Sequence, residues 1–299
     1  MTPLARIVTV TIALGTASVA LAAHGYYRFP ALFRDTLVFT AEGDLWRVPI
    51  TGGVAQRLTT HPAEESQAAI SPDGSRVAFV AAYDSGNEVY VMPLAGGAPK
   101  RLTFDATRCW VQGFTRSGEV VYATENVIGP TWRRVLRIVN PDSGQTHDLP
   151  LADANEAAFD DTGSTVWFTR FGLHVTGDNA RDYRGGAMAQ IWRWNIGSND
   201  EAQRVAPDLA ANLKRPMWWK GRIYAVSDAA GSDNLWSMAA DGTDRQQLTH
   251  HRGWDVKGAT LDDGRIAYQL GADLHLFDIA TSTDRIVPIE LASDFDQER

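Results

Sequence analysis

Asp44-Leu-Trp-Arg-Val-Pro-Ile-Thr-Gly-Gly53 and Glu88-Val-Tyr-Val-Met-Pro-Leu-Ala-Gly-Gly97 are two copies of one pattern, a short apolar strand that ends in a Gly-Gly turn. Four weaker copies follow, at residues 135–144, 190–199, 234–243 and 273–282. The apolar residues alternate with period two in each copy, as half-buried β-strands require. The chain therefore repeats itself at intervals of roughly 45 residues.

The sequence around each copy also recurs. A turn such as Ser71-Pro-Asp-Gly74 precedes the copy and is followed by a β-branched or aromatic run such as Arg76-Val-Ala-Phe-Val-Ala81. Downstream lies a further strand, which ends in R-L-T at residues 57–59 and 101–103 and in Q-L-T at residues 247–249. Glycine supplies the positive φ that tight hairpins need. Each repeat thus predicts four antiparallel strands joined by hairpins.

Six such units predict an all-β fold, a six-bladed β-propeller of four-stranded antiparallel blades. The predicted blades are approximately 27–61, 62–105, 106–152, 153–208, 209–251 and 252–292. A β-sandwich also contains short strands and glycine turns, but it would not repeat one order of strands and turns six times. The first and last repeats contain their own outermost strands, so no strand-exchanging clasp between the termini is predicted.

Composition narrows the class of protein. The chain has 299 residues, 44% of them hydrophobic, which is enough to build a sizeable core and excludes intrinsic disorder. Its net charge of −8 makes a nucleic-acid partner unexpected, because that affinity comes mainly from clustered Lys and Arg. The single cysteine, Cys109, cannot form an intrachain disulfide and is predicted to be a buried, inert thiol.

Residues 1–22 have the features of a secretory signal peptide. Arg6 precedes the apolar run of residues 7–21, which closes in the A-x-A pattern of residues 20–22. The alternative is an uncleaved N-terminal anchor, although the run is shorter than a bilayer span requires. We expect a mature propeller of residues 23–299 in the periplasm, with no membrane span of its own.

The sequence contains none of the common catalytic motifs. G-x-S-x-G, H-E-x-x-H, the phosphate-binding P-loop and G-x-G-x-x-G are all absent. The seven histidines have no ligand spacing, and the adjacent His250 and His251 would face opposite sides of a strand. We therefore predict no catalytic residue, no metal site and no cofactor.

Two groups of motifs carry a family resemblance. The R-L-T and S-P-D-G motifs resemble those of six-bladed propellers of the TolB-like, WD40-like type. The fourth repeat is longer because of an insertion at residues 170–189, which contains Tyr183-Arg-Gly-Gly186 followed by Ile191-Trp192. That string, together with strands that open D-L-W, resembles the N-terminal propeller of the tricorn proteases. The stretch of residues 291–296 is similar to that family's link into a second propeller.

The resemblance implies a function. A complete tricorn subunit carries two propellers, a PDZ-like module and domains that hold a serine-protease site, and it forms a large oligomeric peptidase. Family members are often cytoplasmic. This chain would be the non-catalytic N-terminal module of such a hydrolase, gating or guiding peptides and contacting the remaining domains or subunits. Whether it belongs to an enzyme in that sense depends on a catalytic part outside this chain.

Some residue roles follow from the resemblance. The family's prototype holds the substrate's terminal carboxylate with two arginines at the start of the third blade's inner strand, where this sequence offers only Arg108. Alternatively, Arg108 is a solvated loop cation or a partner of Asp105. The Arg133-Arg134 pair is a second cation cluster, expected to lie away from the channel wall.

Two further sets of residues are candidates for contacts. Tyr183, Arg184, Gly185 and Gly186 are predicted to contact another domain or subunit, or else to allow a tight re-entry into the next strand. Tryptophans near inner strands are candidates to line the channel, namely Trp110, Trp218 and Trp254. A stand-alone TolB-like periplasmic scaffold that binds proteins remains an alternative function, as does a propeller enzyme with an unrecognised site.

Overall fold

Each of the six repeats forms one antiparallel sheet, and the six sheets are arranged as blades around a central channel. The computed structural model describes residues 25–84, 86–126, 134–171 and 183–293. All regular elements within these ranges are strands, which confirms the six-bladed propeller. No helix in the same ranges has the length and apolar character that crossing a membrane takes. The predicted signal peptide lies outside the described residues.

The four antiparallel strands of every blade are consecutive in the sequence and run from the channel outward. Blade 1 consists of β1 (Arg28–Phe33), β2 (Thr36–Ala41), β3 (Asp44–Pro49) and β4 (Gly53–Arg57). Blade 2 consists of β5 (Glu65–Ile70), β6 (Arg76–Ala81), β7 (Glu88–Pro93) and β8 (Lys100–Arg101). Blade 3 consists of β9 (Cys109–Phe114), β10 (Val120–Thr124), β11 (Val135–Val139) and β12 (Thr146–Asp148). Blade 4 consists of β13 (Asn155–Phe159), β14 (Thr165–Arg170), β15 (Gln190–Asn195) and β16 (Gln203–Arg204). Blade 5 consists of β17 (Leu213–Trp219), β18 (Arg222–Ser227), β19 (Asn234–Ala239) and β20 (Gln246–Gln247). Blade 6 consists of β21 (Val256–Asp262), β22 (Arg265–Leu270), β23 (Asp273–Asp278) and β24 (Thr283–Ile286). A last strand, β25 (Ile289–Leu291), follows blade 6.

The apolar core lies between neighbouring blades. One cluster, for example, joins Val80 and Val91 of blade 2 to Val111 and Tyr122 of blade 3. Both faces of the middle strands are therefore covered, and this explains their nearly continuous burial. Cys109 is fully buried in the same cluster, and burial raises the pKa of its thiol to about 12. An unreactive thiol at neutral pH follows from this position.

The S-P-D-G turn has a specific structural cause. The Asp73 carboxylate accepts hydrogen bonds from the Ser71 hydroxyl (2.6 Å) and from the Ser75 backbone N–H (3.0 Å), and these bonds lower the pKa of Asp73 to about 2. Gly74 has a φ of 74°, and a Cβ there would lie 2.3 Å from the Phe33 ring. The turn therefore needs both its aspartate and its glycine.

The R-L-T motif connects the two outer strands of a blade. In blade 1 the Arg57 guanidinium donates to the Asp44 carboxylate at 2.6 Å, and the Leu45 backbone N–H donates to the Thr59 hydroxyl at 2.8 Å. Blade 5 repeats the threonine contact: Thr249 accepts from the Leu235 N–H and donates to the Asn234 side chain, both at 2.9 Å. The threonine thus satisfies polar groups at the buried start of the third strand.

Replacing Thr249 with valine is expected to lower the free energy of unfolding by about 1–2 kcal/mol. The variant keeps the shape of the side chain but leaves the Leu235 N–H and the Asn234 oxygen without this partner. Urea denaturation of the variant and the wild type measures the difference. Thr146→Val on the exposed strand β12 is the control, and an equal loss in both variants would contradict this role for Thr249.

Ring closure differs from the expectation. The four antiparallel strands of blade 1 do come from its own repeat, but β25 adds a fifth strand, parallel to β4 at the outer edge. The prediction that no clasp joins the two ends is therefore wrong. Pro288 explains the difference, because it has no N–H to donate to a β-ladder. Strand β24 ends two residues before Pro288, and the chain then crosses to blade 1. Gly52 permits the crossing, since a Cβ there would lie 2.2 Å from the Pro288 carbonyl oxygen.

Ile289 fixes this closing strand to the core. Its side chain is 6% exposed among buried residues of blades 1 and 6, and its carbonyl accepts from the Tyr27 hydroxyl at 3.3 Å. We expect Ile289→Ala to lower the free energy of unfolding by about 2 kcal/mol through the lost apolar burial. The matched control is Glu290→Ala, on the exposed face of the same strand. Equal unfolding midpoints in urea for the two variants would contradict this assignment.

Candidate functional site: the axial channel

A cavity of about 1010 Å³ lies on the axis of the propeller. The inner strands β1, β5, β9, β13, β17 and β21 all contribute to its wall. These strands run in the same direction, so their first residues surround one mouth and the hairpins that follow them surround the other. Below, the entry mouth is the end at the starts of the inner strands, and the hairpin mouth is the opposite end.

Each inner strand carries a β-bulge where its register with the second strand shifts. Four of the bulged residues are not glycine yet have positive φ, and they are Phe29 (51°), Gln67 (53°), Glu156 (47°) and Arg215 (56°). Gly258 occupies the bulge of blade 6, and in blade 3 the extra residue is Gln112, next to the positive-φ Gly113. A left-handed residue other than glycine costs about 1 kcal/mol or more, so this ring is a strained feature of the channel wall.

The bulges also connect neighbouring blades. The Glu156 carboxylate accepts from the Arg215 backbone N–H at 2.8 Å and from the Thr169 hydroxyl at 2.7 Å. The Arg215 guanidinium in turn donates to the Ala259 carbonyl at 2.8 Å. Hydrogen bonds therefore extend across blades 4, 5 and 6 at the level of the bulges. The inner strands share no short motif, so the repeats in the sequence do not indicate this ring.

Arg134 and Trp110 form a stacked pair at the cavity wall. The Arg134 guanidinium lies 3.5 Å from the centre of the Trp110 ring, and its Nε is 3.6 Å from the Glu125 carboxylate. Burial lowers the pKa of Arg134. The expectation that this arginine lies away from the channel wall is wrong, because β11 starts at the same end of the blade as β9 and so brings Arg134 to the entry mouth. Its neighbour Arg133 lies outside the described residues.

Arg108 stands beside this pair but does not line the cavity. Its side chain is 58% exposed and pairs with Glu125 at 3.3 Å, while its guanidinium lies 5.7 Å from the centre of the Trp110 ring. Asp105, the alternative partner expected from the sequence, instead pairs with Arg137 at 3.3 Å. The role of Arg108 as a carboxylate anchor stays a prediction.

The other two candidate tryptophans occupy different places. Trp218 lines the cavity, stacks on Trp167 with 4.5 Å between ring centres, and donates to the Asp161 carboxylate at 3.1 Å near the hairpin mouth. Trp254 is 68% exposed beside Gly271 and does not contribute to the wall. Trp110 and Trp218 therefore lie along the channel, and Trp254 lies on the surface.

The Tyr183-Arg184-Gly185-Gly186 segment lies at the entry mouth. The Arg184 guanidinium donates to the Asp228 carboxylate at 2.8 Å, and Asn212 donates to the Tyr183 carbonyl at 3.4 Å. Asn212 and Asp228 both line the cavity and belong to blade 5, so the segment connects the insertion of blade 4 to the next blade. Residues 172–182 of the insertion lie outside the described residues.

The two glycines of this segment are not equivalent. A Cβ on Gly185 would lie 2.2 Å from the Tyr183 hydroxyl, so Gly185 makes room for that ring. Gly186 has open space around it and a φ that other residues adopt, so the tight turn into the next strand does not require it. The predicted contact of the segment with another domain stays a prediction.

Comparison with known proteins places this geometry in a family. Residues 24–283 match the family model described as the tricorn protease N-terminal beta propeller domain. Tricorn protease homolog 1 of Streptomyces coelicolor is 31% identical over 263 residues, which cover 86% of this chain and 24% of that protein. The chain thus spans about a quarter of the length of this curated relative.

Solved structures share the fold. The crystal structure of the tricorn protease aligns with a TM-score of 0.78 at 21% identity, over 88% of this chain and 26% of that one. A structure from Agrobacterium tumefaciens described as TolB aligns with a TM-score of 0.62 at 17% identity, over 83% of this chain and 84% of that one. Fold and channel thus define the class as a six-bladed propeller with an axial cavity.

The match to the family model identifies the family within that class. The chain belongs to the family of tricorn protease N-terminal β-propeller domains. Some relatives divide their parts between chains: Sulfurisphaera tokodaii has proteins named as Tricorn-like protease N-terminal and C-terminal subunits. This chain is 24% identical to the N-terminal one over 140 residues, 45% of this chain and 70% of that subunit.

Proposed function

We propose that this propeller is the non-catalytic module of a tricorn-like serine peptidase and guides peptides through its axial channel. The observation that carries the proposal is a cavity lined by the inner strands of all six blades in a chain of this family. A propeller channel is a narrow passage between inner strands, so it selects extended peptides over folded proteins.

The chemistry of the wall suits a peptide. At the entry mouth, Arg134 supplies a cation held against an aromatic face, and Lys214 pairs with Asp233 at 2.6 Å. Burial raises the pKa of Asp233. Deeper in the channel, the bulges present amide, carboxylate and guanidinium groups. Charges of both signs beside aromatic rings provide weak contacts for the varied side chains and the backbone of a peptide. Weak contacts of this kind let a peptide bind the wall and still move along the channel.

The module would act with a catalytic part elsewhere. Its share of about a quarter of the length of its relatives supports a partner domain in the same polypeptide, and the separately named subunits support a partner chain. The Tyr183–Gly186 segment, on the rim of the entry mouth, is the surface we assign to that contact. We also propose export to the periplasm, supported by residues 1–22. A fusion of residues 1–40 to an export-dependent reporter that stayed inactive would refute export.

Peptide binding tests the channel. We expect short fluorescein-labelled peptides to bind the wild type, measured by fluorescence anisotropy, and to bind Ala158→Trp at least about tenfold more weakly, because Ala158 lines the cavity. The control is Ala98→Trp, in an exposed loop. Circular dichroism checks that both variants are folded. Equal affinity in all three proteins would exclude the channel as the peptide's route.

The size of the native protein distinguishes a module of a tricorn-like peptidase from a stand-alone TolB-like scaffold. An immunoblot of the source cells with antibody against this chain should reveal a band several times larger than 32.8 kDa, or a catalytic chain that co-purifies. A band near 32.8 kDa with no peptidase partner would instead favour a TolB-like scaffold that binds envelope proteins. The observation in favour of that second function is the TolB structure, which this fold covers over 84% of its length.

A further inference from the structure

Three potential metal ligands meet at the junction of blades 5 and 6, away from the channel. His251 follows the outermost strand of blade 5, whereas His275 on β23 and Asp284 on β24 belong to blade 6. One ligand atom from each lies within 4.8 Å of the other two. Strand pairing in blade 6 places Asp284 opposite Phe277, two residues along β23 from His275, so that His275 and Asp284 are diagonal neighbours. His251 reaches them from the neighbouring blade.

The separations fit one bound ion. The Asp284 Oδ2 atom is 3.2 Å from His275 Nδ1 and 3.5 Å from His251 Nε2. Two ligands that bind a tetrahedral Zn²⁺ at its usual bond lengths are about 3.3–3.5 Å apart. The two separations from Asp284 therefore already match a shared ion, and the third, between the two imidazoles, is within 4.8 Å and would be adjusted by side-chain rotation.

We propose that His251, His275 and Asp284 form a binding site for a divalent transition metal, with Zn²⁺ as the expected ion. Two imidazoles and one carboxylate are a donor set that suits Zn²⁺ and disfavours Mg²⁺ or Ca²⁺, which take mainly oxygen ligands. The site would connect blades 5 and 6. It departs from the sequence-based prediction of no metal site, and it is independent of the proposed function.

Tyr268 is placed to support the ligands. Its hydroxyl donates to Asp284 Oδ1 at 2.7 Å, which leaves Oδ2 directed toward the two histidines. The Tyr268 ring also stacks on His275 with 5.3 Å between the centres. Outer contacts of this kind fix the orientation of a metal ligand, and Tyr268 is itself fully buried.

The partial exposure of the three ligands gives an ion access to the site. The three side chains are 19%, 11% and 25% exposed, so an ion reaches them from solvent and a water molecule can complete the coordination. At present the His251 Nε2 atom is hydrogen-bonded to Tyr268 at 2.8 Å, a bond that the ion would replace.

The test is metal binding by the full chain after treatment with a chelator and its removal. Isothermal titration with ZnCl₂ is expected to give one equivalent bound per chain, and Co²⁺ is expected to produce the intense visible absorption of a tetrahedral site. Zn²⁺ should also raise the melting temperature. No saturable Zn²⁺ binding, together with an unchanged melting temperature, would overturn the proposal.

Variants assign the ligands. His251→Gln and Asp284→Asn are expected to weaken Zn²⁺ binding at least about tenfold and to abolish the Co²⁺ absorption. His250→Gln, the exposed neighbour of His251, is the matched control and should bind Zn²⁺ as the wild type does. Circular dichroism without metal confirms folding. Because His251 lies in a loop, its variant tests the site even if Asp284→Asn fails to fold. Undiminished binding by His251→Gln, or an equal loss in His250→Gln, would place the ion elsewhere.

Discussion

Replacing Glu88 with alanine is expected to lower the free energy of unfolding by about 3–5 kcal/mol. Glu88 is 1% exposed and accepts hydrogen bonds from four N–H and O–H groups: the Arg101 guanidinium (3.0 Å), the Thr103 hydroxyl (2.5 Å) and the backbone N–H groups of Asp105 (3.2 Å) and Ala106 (2.9 Å). Alanine removes the carboxylate and leaves these donors short of an acceptor in the interior. The cost is large because the loss of one partner leaves buried charge and N–H groups uncompensated.

Asp84 provides the control for this variant. It is the other carboxylate that pairs with Arg101, also at 3.0 Å, but its side chain is 70% exposed. Asp84→Ala should cost less than about 1 kcal/mol, since exposed ion pairs contribute little. Urea denaturation compares both variants with the wild type, and Glu88→Gln shows how much of the effect belongs to the charge. Similar losses of unfolding free energy in Glu88→Ala and Asp84→Ala would show that the stabilisation from these carboxylates does not depend on their burial.

Glu65 makes stability depend on pH in an unusual direction. It is fully buried and hydrogen-bonded to Tyr83 (2.8 Å), Thr59 (3.1 Å) and Asp44. Burial raises the pKa of Glu65 to about 7, from an ordinary value of 4.5. The folded protein therefore binds more protons than the unfolded chain between these two values. The stabilisation from the protonated carboxyl is complete below pH 4.5 and is lost as the pH rises through 7.

Glu65→Gln should remove this dependence. Relative to the variant, the wild type is expected to lose about 3 kcal/mol of unfolding free energy between pH 4.5 and pH 8, because a shift of one pKa unit corresponds to about 1.4 kcal/mol. Denaturation curves recorded across this range for both proteins measure the difference. Glu64→Gln, an adjacent carboxyl whose side chain is 53% exposed, should follow the wild type. Parallel curves for the wild type and Glu65→Gln would mean that Glu65 is ionised throughout.

The repeats made the blades predictable, since alternating apolar residues and glycine turns depend only on local sequence. The R-L-T motif was visible as well, although not its partner at the start of the third strand. Features that depend on contact between distant segments were missed. Arg134 reaches the channel because it directly precedes the start of β11, and β25 crosses to blade 1 after Pro288. His251, His275 and Asp284 have no ligand spacing in the sequence, because strand pairing within blade 6 and the packing of blade 5 against it bring them together.

The closing strand also has a consequence for the order of folding. Contacts within a blade join residues close in sequence, whereas the seam between blades 6 and 1 joins very distant ones: Tyr27 and Ile289 are 262 positions apart, and Arg34 and Asp262 are 228 apart. Closing so long a loop carries an entropy cost that a hairpin avoids, so we expect the blades to form early and the seam to form last. The same seam should open first in the native protein. In hydrogen exchange, the amides that join β25 to β4 should then exchange faster than the central strands, and equal protection would place the weakest interface elsewhere.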